Sequence, residues 1–230
     1  MKAVSNRKNF RELYNSTIFT NIYKRNAWGG KKGEFYSGAG SHNAYIDEYA
    51  GIVSDFVIRH NINDIVEIGC GDFNVSNAIL NKLNNSDYRF TYTGYDVVKP
   101  LIAQNTSKYG SSTVKFVCKD SCVGTVKTGD LLIIRQVLQH LSNKSIKQII
   151  DKFKNYKYII FTEHQPADKY NAIIKPNINQ PSSAENRLRF KSAVYLDKAP
   201  FNCVVHSKLF SIMEWVYGME AYINTFLIKN

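Results

Sequence analysis

The stretch DIVEIGCGDFN, residues 64–74, decides how the chain folds. Ile65, Val66 and Ile68 are β-branched and apolar, which favours an extended strand buried on both faces. Gly69 and Gly71 follow at once, and the spacing of Val75, Ala78, Ile79 and Leu83 predicts a helix directly after them. A strand, a glycine turn and a helix in that order form the edge at which open α/β sheets receive ligands, because glycine lets a cofactor approach the backbone. Two glycines alone are equally an ordinary tight bend. Glu67 argues for more, since a carboxylate closing an apolar strand is costly unless something pairs with it. A dinucleotide fingerprint would require a third glycine at position 74, where Asn74 stands, so NAD is disfavoured.

Outward from this turn the apolar pattern keeps changing period. Residues 63–68, 88–95, 113–119, 130–134 and 157–163 are short runs rich in β-branched and aromatic residues and read as strands. Tyr45, Tyr49, Val53 and Phe56 mark a helix before the first strand. Ile146, Ile149, Ile150 and Phe153 mark another behind Ser142, a good N-cap residue. Strands alternating with helices predict an α/β doubly wound, Rossmann-like sheet of seven mostly parallel strands with an antiparallel C-terminal strand. The tail VVHSKLFSIMEWVYGMEAYINTFLIKN reads as two strands joined near Gly218 without an intervening helix. Residues 1–40 read as an N-terminal cap segment and 41–230 as the main domain. Residues 165–190 form a segment too long for a connector, and so a functional insertion.

Composition narrows the function classes. The 230 residues hold 44% hydrophobic and 13% aromatic residues, a globular balance, and no run reaches the roughly 18 apolar residues of a membrane span. MKAVSNRKNFREL has charges without a following apolar stretch, so a secretory signal is not expected and a cytoplasmic setting is. Cys70, Cys118, Cys122 and Cys203 lack paired CxxC clusters, which gives neither a disulfide framework nor a metal site. The net charge of +11 is spread along the chain rather than gathered in blocks, which disfavours a dedicated nucleic-acid surface and is compatible with a small anionic partner.

A second acid, Asp96, ends the next strand in YTGYDVV, where a carboxylate commonly holds both ribose hydroxyls of a nucleoside cofactor. EIGCG resembles the first motif of the class I S-adenosylmethionine-dependent methyltransferases, acid-x-G-x-G-x-G, with Phe73 in place of the last glycine. YTGYDVV resembles their second motif, VCKDSC their third, and DLLIIRQVLQHLS their fourth strand and the loop after it. The resemblance implies an S-adenosylmethionine site built from Glu67, Gly69, Cys70, Gly71, Asp96, Val97, Asp120, Ser121 and Arg135. In it Asp120 would accept from the adenine amino group. The segments FTNIYKRNAWGGKKGEFYSGAGSHN, GYDVVKPLI, RQVLQHLSNKSI and AVYLDKAPFN are similar to a bacterial methyltransferase group associated with surface-polysaccharide biosynthesis. That group includes enzymes thought to methylate a phosphoramidate decoration of capsules, and the likeness covers most of residues 18–205.

The remaining candidates follow from chemistry. Ser37 and Gly38, in a glycine- and serine-rich loop, offer donors to a cofactor carboxylate or a phosphoryl oxygen, with Trp28 and Tyr36 placed to cover the site. Methyl transfer from a sulfonium needs alignment, exclusion of water and, for a hydroxyl acceptor, removal of a proton. His140, after the fourth strand, is the first candidate base, and His164, with Glu163 beside it to orient it or touch the acceptor, is the second. Arg187 and Arg189 alternate on what reads as an extended segment and suit an anionic acceptor. The expected activity is O-methylation of a saccharide, a nucleotide-activated sugar or a phosphoryl-bearing glycan precursor, with RNA or cap methylation as the rival.

Overall fold

The structure, a computed structural model, describes residues 14–230. The reading of MKAVSNRKNFREL as no secretory signal concerns residues outside that range. Helix α1 covers residues 14–24 among the described residues. Then come α2 (Ile46–Arg59), β1 (Asp64–Ile68), α3 (Asn74–Asn85), β2 (Thr91–Asp96), α4 (Lys99–Tyr109), β3 (Val114–Cys118) and β4 (Gly129–Arg135). The chain continues with α5 (Asn143–Ile150), β5 (Tyr156–Pro166), the two-residue strands β6 (Lys175–Pro176) and β7 (Ser192–Ala193), and the long strands β8 (Ser207–Val216) and β9 (Met219–Lys229). Seven strands form one sheet in the order β3-β2-β1-β4-β5-β9-β8. The first three pair in parallel, Asp64 opposite Thr91 and Tyr92 opposite Val114, whereas β9 runs antiparallel to both β5 and β8.

Residue chemistry explains most of these elements. In α2, Ile46, Tyr49, Ala50, Val53, Phe56 and Val57 fall on one face and are buried, with Asp47 and Glu48 in the first turn and Arg59 in the last, the signs that suit the helix dipole. Pro100 opens α4, where its missing N–H costs nothing. Ser142 caps α5 as expected, its Oγ accepting from Ser145 N at 3.2 Å. Phe153 is not part of that helix: α5 stops at Ile150, and Phe153 opens a separate short turn whose ring is still buried. Leu131 to Ile134 in β4 are all buried, the pattern of a strand covered on both faces. Tyr217 and Gly218, both with positive φ (51° and 75°), join β8 to β9 in the two-residue turn that matches strand twist.

The chain divides into two compact units, Met1–Asp130 and Leu131–Asn230. The first contains the glycine turn and its flanking parallel strands. The second contains the antiparallel strands and the 165–190 segment, which holds β6 and short helical turns and whose Ile174 and Leu188 form a small core with Ala193 and Ala221. No helix among the described residues is long and apolar enough to cross a membrane.

Candidate functional site

In the first unit the glycine turn is pinned from several sides. Gly69 N and Cys70 N both donate to Tyr95 O, at 2.8 and 3.0 Å, and Gly71 N donates to Asp96 Oδ2 at 3.2 Å. Asn105, from α4, donates its Nδ2 to Gly71 O at 2.8 Å. Gly71 has φ of 51°, and a Cβ there would stand 2.5 Å from Ser37 Oγ, so both conformation and space call for glycine. Glu67 finds its partners inside the unit: Ser76 Oγ donates to it at 2.6 Å and the Tyr92 hydroxyl donates to it as well. Phe73, also left-handed at φ 66°, turns its ring into the core against Tyr92, Tyr109 and Phe116, with centroids 4.8–5.3 Å away.

The two acids expected from the motifs stand at the ends of their strands. Asp96 closes β2 half-buried, accepting from Val98 N on Oδ1 at 3.0 Å and from Gly71 N on Oδ2. Each oxygen therefore keeps a lone pair for a further donor, the arrangement that a vicinal diol can satisfy. Burial pushes the Asp96 carboxyl up to about 6, against the backbone donors of Val98, Gly71 and Val97. Asp120 lies just past β3 and is buried. Its Oδ1 accepts from Cys122 N at 2.8 Å and its Oδ2 from Asn15 Nδ2 in α1 at 2.9 Å. Beside it, Asn15 Oδ1 and Ser121 Oγ are buried without a hydrogen-bond partner. Buried groups of this kind are rare in a finished interior and fit a site shaped for a polar ligand.

The N-terminal loop is tied to the same turn. Ser37 N donates to Asp72 Oδ2 at 2.9 Å, Asp72 N donates to Ser37 Oγ at 2.8 Å, and Tyr23 Oη lies 2.8 Å from the same Oγ. His42 pairs with Asp72 at 2.6 Å and stacks on Tyr36 at 4.6 Å. Ser37 is thus committed to holding the loop on the glycine turn, with Gly38 next to it at φ 92°. Trp28 packs with Tyr23 and Phe19 over Val98 and Leu101, an aromatic staple on α4. Val97 contributes its carbonyl, which accepts from Ser16 Oγ at 3.1 Å.

The second unit carries its own polar cluster. Glu163, fully buried in β5, accepts from Leu138 N at 2.9 Å and Gln139 N at 3.1 Å and so caps the short turn that presents His140. Burial pushes its carboxyl up to about 8, opposed by those N–H groups and by Arg187. His140 Nδ1 faces Glu185 O at 3.3 Å and its Nε2 faces Gln139 Nε2 at 3.3 Å. A carbonyl only accepts, so Nδ1 carries the proton and Nε2 the lone pair. Burial holds this imidazole down to about 4, with the neighbouring His164 acting in the same direction. His164 Nδ1 lies 3.0 Å from Gln139 Oε1 and 3.3 Å from Gln136 Nε2, and its Nε2 pairs with Glu214 at 3.1 Å. Arg135, buried at the end of β4, donates to Gln136 Oε1 at 3.1 Å.

The two arginines differ from expectation. Arg187 and Arg189 lie in a short 3-10 turn, Arg187–Phe190, not on an extended segment, and they do not face the same way. Arg187 is buried and donates to Ile178 O at 2.8 Å and Leu141 O at 2.7 Å, while Arg189 is exposed over the Tyr217 ring. The helical turn rotates them apart, and two backbone carbonyls take the fork that an anion was expected to take. Asn15, Asp72, Asn105, Gln139 and Glu214 were not read from the sequence, since each gains its role through a partner distant along the chain.

The fold has clear counterparts among solved structures. The methyltransferase domain of bacterial CtHen1 superposes with a TM-score of 0.51 at 14% identity, over 80% of this chain and 98% of that one. TehB from Haemophilus influenzae gives 0.51 at 14% identity, over 83% and 67%. The fold is that of the class I methyltransferases. The plantazolicin methyltransferase BpumL in complex with SAH matches at a TM-score of 0.46 and 14% identity over 70% of this chain, which spans 62% of that longer one. No protein-family model matches the sequence, and no curated protein does. The methyltransferase fold is thus visible in structure at an identity that shows the fold and leaves the acceptor open.

Proposed function

We propose that the chain is an S-adenosylmethionine-dependent O-methyltransferase whose acceptor is a saccharide, a nucleotide-activated sugar or a phosphoryl-bearing precursor of a surface glycan. The observation that carries the cofactor half is Asp96, a strand-end carboxylate that holds the glycine turn through Gly71 N and keeps a lone pair free on each oxygen. Asp96 would hold the ribose hydroxyls, and the Gly69–Gly71 backbone would lie against the amino-acid end. When bound, S-adenosylmethionine supplies an activated methyl group on its sulfonium. The chain's own work is then to orient the acceptor and to take a proton from its hydroxyl.

His140 is assigned that proton. Its Nε2 lies 3.3 Å from Gln139 Nε2, and burial keeps the ring neutral, so it is in the accepting form throughout the physiological range. His164, paired with Glu214 and touching Gln139, acts as a positioning residue for Gln139 and through it for His140. Arg187 does not contact the acceptor in this reading, because its two terminal nitrogens donate to backbone carbonyls. The sequence likeness to surface-polysaccharide enzymes supports the acceptor class. RNA methylation is the second reading, with which the net charge of +11 is compatible.

Incubation with methyl-labelled cofactor, glycan precursors and short RNAs, read by mass spectrometry, tests the assignment. Label is expected on a sugar or phosphoryl oxygen, and label on RNA alone would replace the acceptor class. His140→Ala should lose turnover by roughly a hundredfold or more while keeping its affinity for S-adenosylhomocysteine. Undiminished turnover would remove His140 from the chemistry.

A further inference from the structure

The sheet ends at β8, and among the described residues no strand pairs with the outer edge of that strand. The Tyr217–Gly218 turn is two residues long, so Val216 and Met219 close the hairpin as a hydrogen-bonded pair, and bonding toward β9 alternates along β8 from there. Ser211, Met213 and Trp215 fall on the other phase. Their N–H and C=O groups point away from β9, to the open side. Their side chains share one face and are exposed, Met213 at 47% and Trp215 at 67%. A row of free donors and acceptors templates another strand, and natural edges are blunted against this by proline or by lysine. SIMEWV, residues 211–216, has neither, and its single charge, Glu214, lies on the opposite face paired with His164.

We infer that a second copy of this chain covers the edge, β8 pairing antiparallel with β8 of that copy about a twofold axis at Met213. The sequence of the edge is complementary to itself in this register. An axis at Met213 sets Met213 against Met213, Ser211 against Trp215 and Ile212 against Glu214, so the outward N–H and C=O groups of all three edge residues find partners and no like charges oppose each other. Other centres fail. An axis at Glu214 sets two carboxylates face to face, axes at Ser211 or Ile212 run Trp215 past the bulge between Lys208 and Phe210, and an axis at Trp215 runs Met213 into the turn. The axis stands perpendicular to the sheet, which keeps Met213 and Trp215 of both copies on one face. There they extend a patch shared with Tyr222, the residue opposite Met213 on β9. An isologous contact of this kind closes at two copies.

The paired stretch is short and the charge of +11 on each copy opposes association, so the expected dissociation constant is on the order of micromolar at physiological ionic strength. Sedimentation equilibrium of the full chain from about 1 to about 100 µM tests this, with the mass expected to climb from one chain toward two. Met213→Lys and Met213→Glu each set like charges against each other across the axis. Each should raise the dissociation constant by about tenfold or more and leave the circular dichroism unchanged, because the side chain is exposed. Mixed in equal amounts, the two variants set lysine against glutamate, and dimers holding one chain of each should return. A parent that stays a single chain up to about 100 µM would overturn the inference and give the edge to a partner of another kind. A parent dimer that both substitutions leave intact would overturn it as well, as would a mixture no more associated than either variant alone.

Discussion

At the scale of single residues, Phe73 shows how a departure from a pattern is absorbed. The motif places glycine where Phe73 stands, and the backbone there is left-handed at φ 66°, a conformation that costs an aromatic residue on the order of 1 kcal/mol. Burial of the ring among Tyr92, Tyr109 and Phe116 offsets that cost. Phe73→Gly would therefore relieve the backbone yet lose more from the core, with a net destabilisation of about 3 kcal/mol in chemical denaturation. A variant as stable as the parent would mean that the ring is not holding α3 against the sheet. Because Phe73 points inward, the proposed reading leaves the cofactor contact to the backbone of Gly69 and Gly71. The two acids were legible for the same reason that Phe73 was puzzling: strand ends and turns announce themselves locally. Asn15 did not, since its meaning depends on an acid 105 residues away.

At the scale of elements, Glu163 links a strand to the turn that carries His140. Its carboxylate accepts from Leu138 and Gln139 N–H while lying fully buried, and its pKa is raised to about 8 from an ordinary carboxylate value. A folded state with a raised pKa binds more protons than the unfolded chain between about pH 4.5 and 8, so this group's contribution to stability falls as pH rises through that window. Glu163→Ala should make the decline in melting temperature across pH 5–8 shallower, and it should speed amide exchange at Leu138 and Gln139 by roughly tenfold or more. Unchanged exchange at both amides would show that the turn stands without its cap. Element boundaries were readable wherever periodicity was strong, as in α2, α3, β4 and the β8–β9 hairpin. They were not where apolar positions were sparse: α4 buries only Leu101, Ile102 and Asn105, a face too thin to see in sequence. Arg187 failed for a physical reason too, because an arginine that serves carbonyls of Ile178 and Leu141 looks in sequence like one that serves an anion.

At the scale of the whole molecule, the sheet order and the antiparallel last strand give the methyltransferase fold, and the cofactor is proposed from Asp96 and the glycine turn rather than from the fold. The central claim is that the strand-end carboxylate of Asp96 holds a nucleoside cofactor. A free Asp96 titrates near 6 because burial disfavours its charge, whereas ribose hydroxyls donate to the charged form and favour it. Binding and deprotonation are then coupled, and affinity must rise with pH until Asp96 is ionised without help. The direct measurement is calorimetric titration of S-adenosylhomocysteine into the protein and into Asp96→Ala between pH 5 and 8. The account predicts binding that weakens as pH falls through about 6 in the parent and is lost by more than about tenfold in the variant at pH 7.5. Absence of binding in the parent, or equal affinity in the two proteins, would contradict it.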